Sequence, residues 1–195
     1  FEKAERKGFS AASLNYLVFR GLKRHKIDVP WLMKLWPGVP FTEEVLGPSL
    51  LCLGDFARGL QSEDDDLEAK LSAPGGLFRR YGFQDDSTAK LLRQLVEQQA
   101  LHDLTVAYFP DNDFDSHEQG PGSAVATLEN VDARLGEVFA AAGGLDKFLD
   151  ETALLITGDH SQSDLIADDQ ARAIDVNELL DNFSVDPVDR FLLVA

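Results

Sequence analysis

Two short stretches of the sequence combine aspartates with a histidine. The first is Asp111–His117, DNDFDSH, and the second is the pair Asp159-His160 further along the chain. Each follows directly on an apolar run, Leu104–Phe109 in one case and Ala153–Thr157 in the other. Carboxylate oxygen and imidazole nitrogen together suit zinc, manganese or iron better than calcium, which prefers oxygen ligands alone. The pattern therefore predicts a transition-metal site.

Both apolar runs predict buried strands, and open α/β sheets bind their ligands just beyond the carboxyl ends of the strands. Asp113 and His117 can reach one ion from a loop that turns back on itself. Asp159 and His160 would point to opposite faces of a regular strand, but both can turn inward where the strand ends. Two ions roughly 4 Å apart would clamp a phosphoryl group and activate the attacking oxygen.

Two other interpretations give the clusters no transition metal. In the first, Asp159-His160 is a hydrogen-bonded turn and residues 111–117 form a solvated acidic loop. In the second, the aspartates at 111, 113 and 115 begin a calcium-binding EF-hand loop. That loop needs glycine at its sixth position and glutamate at its twelfth, where this chain has Ser116 and Gly122. The EF-hand interpretation is therefore excluded.

A third alternative is an aspartyl-phosphate phosphatase similar to the haloacid dehalogenases. Asp111 and Asp113 would supply its nucleophile motif, and Asp159 with Asp164 would hold magnesium. Phe114 stands where such enzymes usually have Thr or Val, and the histidines have no role in this chemistry. It is the second hypothesis for the function.

The elements around the clusters predict an α/β fold with a mostly parallel sheet flanked by helices. Apolar residues recur at three- and four-residue intervals in Asp85–Ala100, capped by an Asp or Ser, and in Ser123–Ala142. Residues Phe1–Gly8 are typical of the end of a helix, and Phe9–Tyr16 of a short strand. Helices and strands that alternate in this way favour parallel strands joined by right-handed crossovers.

The length of 195 residues predicts a single α/β domain over residues 1–195. Residues 18–84 are expected to be irregular and rich in loops, and residues 85–195 to form the core that carries the metal site. A further helix is expected at Val176–Asn182, followed by a terminal strand. Because the chain opens on Phe1 and ends on an apolar run, we expect a fragment of a larger catalytic domain.

The composition limits the partners of the chain. With 18 basic and 34 acidic residues the net charge is −16, which argues against a broad nucleic-acid or anionic-membrane surface. A phosphate-bearing substrate is compatible with this charge because bound divalent metals invert the local field. Cys52 is the single cysteine, so an internal disulfide and a cysteine-based zinc site are excluded. No apolar run approaches the roughly 18 residues of a membrane-spanning segment.

The two clusters resemble motifs of the alkaline phosphatase superfamily, most closely its type I phosphodiesterase/nucleotide pyrophosphatase branch. Asp113, three residues, His117 and then Gly120-Pro121 resemble the strand–loop motif of that branch. The run Leu155–His160, LITGDH, resembles its motif of an apolar strand followed by Ser/Thr-Asp-His-Gly. The likeness covers most of the chain, although only these two motifs are specific.

The resemblance assigns Asp113 and His117 to one metal ion and Asp159 and His160 to another, with zinc expected and manganese as an alternative. It implies hydrolysis of a phosphate mono- or diester through a covalent phospho-Thr or phospho-Ser intermediate. It also implies that the nucleophile and the remaining metal ligands come from segments before and after this chain. The missing parts of the same enzyme are then the expected partners, and the chain alone is expected to be inactive.

The sequence departs from the family motifs at two places. Asp115-Ser116 replaces the usual residue-Gly before the first histidine, and Ser161 replaces the Gly after the second. Asp111 and Asp115 are reserve candidates for the ligand role given to Asp113. The lost glycines also support a different class of function, a non-catalytic relative that keeps the fold as a binding or scaffolding domain.

Overall fold

The computed structural model describes residues 1–29, 43–59 and 77–164. The chain divides into two compact units, Phe1–Asp159 and His160–Ala195, and all the elements described here belong to the first. The helix expected at Val176–Asn182 and the terminal strand lie outside the described residues. The single-domain organisation stays a prediction.

The first unit contains five α-helices and six strands among its described residues. The helices are α1 (Glu2–Glu5), α2 (Asp85–Glu97), α3 (Asp111–Gln119), α4 (Ala124–Ala141) and α5 (Leu145–Glu151). The strands are β1 (Ala11–Leu14), β2 (Lys23–Lys26), β3 (Glu44–Gly47), β4 (Leu50–Leu53), β5 (Ala57–Arg58) and β6 (Leu104–Ala107). Two 3₁₀ segments, Leu77–Gly82 and Pro121–Ser123, precede α2 and α4. No helix within the described ranges is long and apolar enough to cross a membrane.

The main sheet has the strand order β5-β4-β1-β6, in which β4, β1 and β6 are parallel and β5 is antiparallel. Leu14 of β1 lies opposite Cys52 of β4 and Ala107 of β6. All four residues of β1 are buried, as expected of a central parallel strand that is covered on both faces. The predicted α/β architecture with a mostly parallel sheet is therefore confirmed.

The alternation of side chains along the strands divides the core between the two faces of the sheet. On one face Leu91 and Leu95 of α2 join a cluster with Leu14, Leu50 and Cys52. On the other face a second cluster forms around three buried strand residues, Leu51, Leu53 and Ala57. One face of the sheet is thus packed against α2.

The carboxyl ends of the three parallel strands are joined by one buried side chain, that of Asn15. Its Oδ1 accepts a hydrogen bond from Gly54 N at 2.8 Å, just after β4, and its Nδ2 donates to Thr88 Oγ1 of α2 at 2.9 Å. Thr88 Oγ1 in turn donates to the backbone oxygen of Tyr108 at 2.7 Å, just after β6. Asn15 has a φ of 59°, in the left-handed region that asparagine tolerates better than most residues.

The strand predicted for the second apolar run is wrong. Residues Ala153–Thr157 were expected to form a buried strand, but they form no strand, and Leu155 and Ile156 are 86% and 69% exposed. A strand is stabilised by cross-strand pairs rather than by its own propensity. Within the described residues β6 pairs only with β1, so the run has no partner strand.

The region expected to be irregular, residues 18–84, contains β2, β3, β4 and β5 in its described part. Among these, β4 lies in the core of the main sheet, and β2 and β3 form a separate antiparallel pair. The run Leu50–Leu53 was missed because four consecutive apolar residues show no alternation and are too few for a clear pattern.

The helix predictions are confirmed in type and close in extent. Asp85–Ala100 was expected and α2 spans Asp85–Glu97; Ser123–Ala142 was expected and α4 spans Ala124–Ala141. The predicted cap of α2 is wrong, because Gln84 occupies the cap position and makes no capping hydrogen bond with its side chain. Asp85 is instead turned into the protein interior, where it is fully buried.

We expect Asn15→Ala to lower the free energy of unfolding by about 2 kcal/mol or more, because buried partners lose their hydrogen bonds. Urea denaturation followed by circular dichroism measures the change. Gln98→Ala removes an exposed amide after α2 and should change stability by no more than about 0.5 kcal/mol. Equal stability of the two variants would contradict the central role of Asn15.

Candidate active site

The first predicted cluster lies on a helix. Residues 111–117 were expected to form a loop, but they belong to α3, which starts three residues after Tyr108 and ends at Gln119. Asp111 and Asp113 stand in its first turn, where acidic groups interact favourably with the helix dipole, and His117 stands in its last turn. Gly120 has a φ of 86°, a backbone conformation that favours glycine at a helix end.

Asp113 and His117 lie on the same face of α3 because they are four residues apart. Asp113 Oδ1 is 3.5 Å from His117 Nε2, and the two side chains are 35% and 69% exposed. Zinc bound by nitrogen and carboxylate oxygen lies about 2 Å from each, so two donors of one ion are about 3 Å apart. The donor types and their separation therefore fit two ligands of one ion that is reached from solvent.

The reserve candidates for this ligand role do not lie on that face. Asp115 is two residues from both Asp113 and His117, and residues at that spacing do not face each other on a helix. Asp111 forms an ion pair with Arg80. Asp113 is therefore the aspartate of this cluster that is placed to act with His117.

Tyr108 lies close enough to one aspartate of each cluster, Asp113 and Asp159, for both charges to act on it. Its phenol lies at the carboxyl end of β6 and packs against the ring of Tyr16, with 6.2 Å between the ring centroids. Partial burial raises the pKa of the Tyr108 hydroxyl, and the charges of Asp113, Asp159 and Asp85 raise it further. The two carboxylates predicted to hold different ions thus both act on one phenol, which stays protonated as a hydrogen-bond donor.

The second cluster lacks the buried strand that was expected to precede it. Asp159, the last residue of the first unit, is exposed and follows the exposed run that ends at Gly158. His160 is also exposed and begins the second unit. The structure therefore places Asp113 and Asp159 close enough to Tyr108 for their charges to act on its hydroxyl. The roles of His117 and His160 as ligands stay predictions.

A complete metal site is not assembled within residues 1–29, 43–59 and 77–164, where no group of three or more His, Cys, Asp and Glu side chains could hold a metal ion. The Asp113–His117 pair fits part of such a site by its donor chemistry and separation. The metal assignments made from the sequence accordingly remain predictions.

Sequence reasoning missed two charged residues beside α3. Asp85, at the start of α2, accepts a hydrogen bond at its Oδ1 from Asp111 N at 3.0 Å. Arg80 pairs with the Asp111 carboxylate, and its guanidinium carbon lies 4.4 Å from the centroid of the Phe114 ring. An acid at a helix start is typical of a cap, which hid the first contact. Arg80 lies in the short 3₁₀ segment Leu77–Gly82, and one arginine there gives no periodic signal.

Burial raises the pKa of the Asp85 carboxyl to about 6, from an ordinary value of 3.8. The hydrogen bond from Asp111 N opposes the shift, the Asp111 charge adds to it, and the Arg80 charge opposes it. Asp85 Oδ2 is buried and has no hydrogen-bond partner among the described residues. The charged form is therefore poorly solvated, which is the physical reason that the pKa of Asp85 is raised.

Comparison with known families identifies the family of this chain. Residues 1–189 match the profile of the type I phosphodiesterase/nucleotide pyrophosphatase family. The chain belongs to this family. No curated protein and no solved structure shows significant similarity to it. The resemblance seen in the two motifs is thus confirmed, and the parallel sheet is consistent with an alkaline-phosphatase-like fold.

Family membership supports a phosphoesterase-like function and argues against the haloacid-dehalogenase alternative. In that alternative Asp111 begins the nucleophile motif, but its carboxylate is paired with Arg80. An ion pair of this kind lowers the availability of the oxygen lone pairs for attack on phosphorus.

The raised pKa of Asp85 predicts a pH dependence of stability in this phosphodiesterase-family chain. Because the folded protein holds this proton more tightly than the unfolded chain, the stabilisation is fully present below about pH 3.8 and is lost as the pH rises through about 6. In Asp85→Asn, the fall in the free energy of unfolding between about pH 4 and pH 7 should be smaller by about 1 to 3 kcal/mol.

Urea titrations at a series of pH values measure this difference. The matched control is Asp86→Asn, which neutralises the adjacent, exposed carboxylate of α2. If Asp85→Asn and the unaltered chain showed parallel profiles, Asp85 would not be the group that titrates.

Proposed function

We propose that this chain is part of a metal-dependent phosphoric ester hydrolase and contributes half of a two-metal site. Asp113 and His117 would bind one ion, and Asp159 and His160 the other. The observation that carries the proposal is the Asp113–His117 pair, whose donors are 3.5 Å apart just beyond the carboxyl end of β6. Membership of the type I phosphodiesterase/nucleotide pyrophosphatase family supports it.

Zinc is the ion that these ligands favour, with manganese as the alternative, because each pair combines an imidazole with a carboxylate. When bound, such ions polarise phosphoryl oxygens and offset negative charge that develops on them. The task of the chain is then to bind and orient. Asp113 and His117 lie on a regular helix, so their relative position is set by the helix geometry.

Tyr108 has a supporting role in this proposal. Its hydroxyl is protonated at neutral pH and lies within the field of both Asp113 and Asp159. A hydrogen bond from this hydroxyl to either carboxylate would orient that ligand, as partners of metal ligands commonly do. The packing of its ring against Tyr16 holds the hydroxyl in a limited space.

The charge of the chain agrees with a metal-assisted mechanism. A net charge of −16 repels an anionic phosphate ester from most of the surface. Divalent ions at the Asp113 and Asp159 positions would reverse the field locally and make that place attractive to the substrate. The proposed substrate class is a phosphate mono- or diester.

The test is the binding of zinc to the chelator-free chain, measured by calorimetry and by metal analysis after gel filtration. The family resemblance assigns no nucleophile to residues 1–195, so binding is a sharper readout than turnover. We expect the unaltered chain to retain zinc, His117→Ala and His160→Ala each to retain less, and the double variant to retain none above background.

The matched control is His25→Ala. It removes one of the four histidines of the chain from β2, in the separate two-stranded sheet, and should leave the zinc content unchanged. If the unaltered chain bound no more zinc or manganese than the double variant, the two-metal proposal would be wrong. That result would favour the non-catalytic relative that keeps the fold as a binding domain.

A further inference from the structure

The start of α3 has no cap from its own sequence. Pro110 occupies the cap position and has no side chain that can accept a hydrogen bond from the first turn. The backbone N–H groups of a first turn have no partners within the helix, and a helix usually satisfies them with a polar residue at this position. In this chain the acceptor for the first of them comes from a different helix.

Asp85 of α2 supplies that acceptor. Its Oδ1 accepts the hydrogen bond from Asp111 N at 3.0 Å, and the residue is fully buried. The start of α2, which carries Asp85, is also held in place. Thr88, one turn later in α2, accepts a hydrogen bond from Asn15 and donates one to the backbone oxygen of Tyr108. The contact therefore joins the first turn of α3 to the rigid part of the sheet.

Arg80 adds two contacts on the outer side of the same turn. Its guanidinium pairs with the Asp111 carboxylate and lies over the ring of Phe114, 4.4 Å from the centroid. Arg80 has a φ of 47°, which is costly for a residue other than glycine and persists only where the surrounding structure enforces it. The segment is held in place by a hydrogen bond from Asp55 N to Tyr81 O at 2.7 Å.

These contacts flank the candidate ligand. Asp113 lies in the chain between Asp111, which both Asp85 and Arg80 contact, and Phe114, which Arg80 covers. A helix whose first turn is fixed on both sides of one residue leaves that residue little freedom of backbone movement. A ligand must be held to within about half an ångström for a site to be effective.

We propose that Asp85 and Arg80 are positioning residues that form a clamp on the first turn of α3. By fixing this turn, the clamp holds Asp113 and His117 in place at the carboxyl ends of the strands. This inference rests on the proposed function for the identity of the ligands. The clamp itself is a property of the fold and can be tested without a metal.

The first test is hydrogen exchange of the α3 amides in the metal-free 195-residue chain. Asp85→Ala removes the acceptor of Asp111 N, and exchange of the Asp111 amide should become faster by about tenfold or more. Asp86→Ala is the matched control, because its carboxylate is at the same helix start but pairs with Arg134 of α4, 2.8 Å from Arg134 Nε. This control should leave exchange in α3 within about twofold of the unaltered chain.

The second test is zinc affinity in the same variants. Loss of a group that orients a metal ligand typically costs about 10- to 100-fold in affinity, and we expect this for Asp85→Ala. Asp85→Asn keeps an oxygen that accepts from Asp111 N and should restore the affinity to within about threefold. Cobalt in place of zinc gives an absorption spectrum that should change in Asp85→Ala and return in Asp85→Asn.

Arg80→Met provides a second route if Asp85→Ala does not fold, because the Arg80 side chain is partly exposed. Like Asp85→Ala, Arg80→Met should speed hydrogen exchange in the first turn of α3 and weaken zinc binding. The clamp proposal is overturned if folded variants at both positions exchange and bind zinc as the unaltered chain does. If the unaltered chain binds no zinc while the α3 amides still respond to Asp85→Ala, the two-metal function fails and the clamp stands.

Discussion

The hydrogen bonds of one buried carboxamide set the geometry on which the candidate site depends. Asn15 lies at the end of the central strand, accepts from Gly54 after β4 and donates to Thr88 of α2. Through Thr88 the connection reaches the backbone of Tyr108 after β6. A buried polar group is stable only when it is paired, so these partners constrain one another, and three strand ends and one helix are fixed at a single point.

Several acidic side chains lie close together beside these hydrogen bonds. Asp85, Asp111 and Asp113 are placed close to the carboxyl end of β6, and like charges in a partly buried place destabilise one another. The structure offsets this in two ways: the first turn of α3 contributes a backbone N–H group to Asp85, and Arg80 pairs with Asp111. Asp113, which is 35% exposed, lies 3.5 Å from His117 on the same face of that helix.

Membership of the type I phosphodiesterase/nucleotide pyrophosphatase family bears on the role of this acidic region. A phosphoesterase that acts on an anionic substrate needs positive charge at the reacting centre, and in this chain 34 acidic residues outnumber 18 basic ones. Under the proposed function, the carboxylates near Tyr108 would hold the cations that supply this positive charge. The positioning of α3 by Asp85 and Arg80 links the stability of the strand ends to that role.

The sequence by itself determined the elements whose signals are local. The helices α2 and α4 follow from apolar residues at three- and four-residue intervals, and the family follows from the motif around Asp113 and His117. It misjudged Ala153–Thr157, whose apolar residues are typical of a strand but have no neighbouring strand to pair with. Only the tertiary structure decided that Asp85 is buried beneath α3 rather than capping α2, and that Arg80 covers Phe114. Those contacts join residues that are distant in the chain, and their energies depend on burial and direction, which no local pattern of residue types contains.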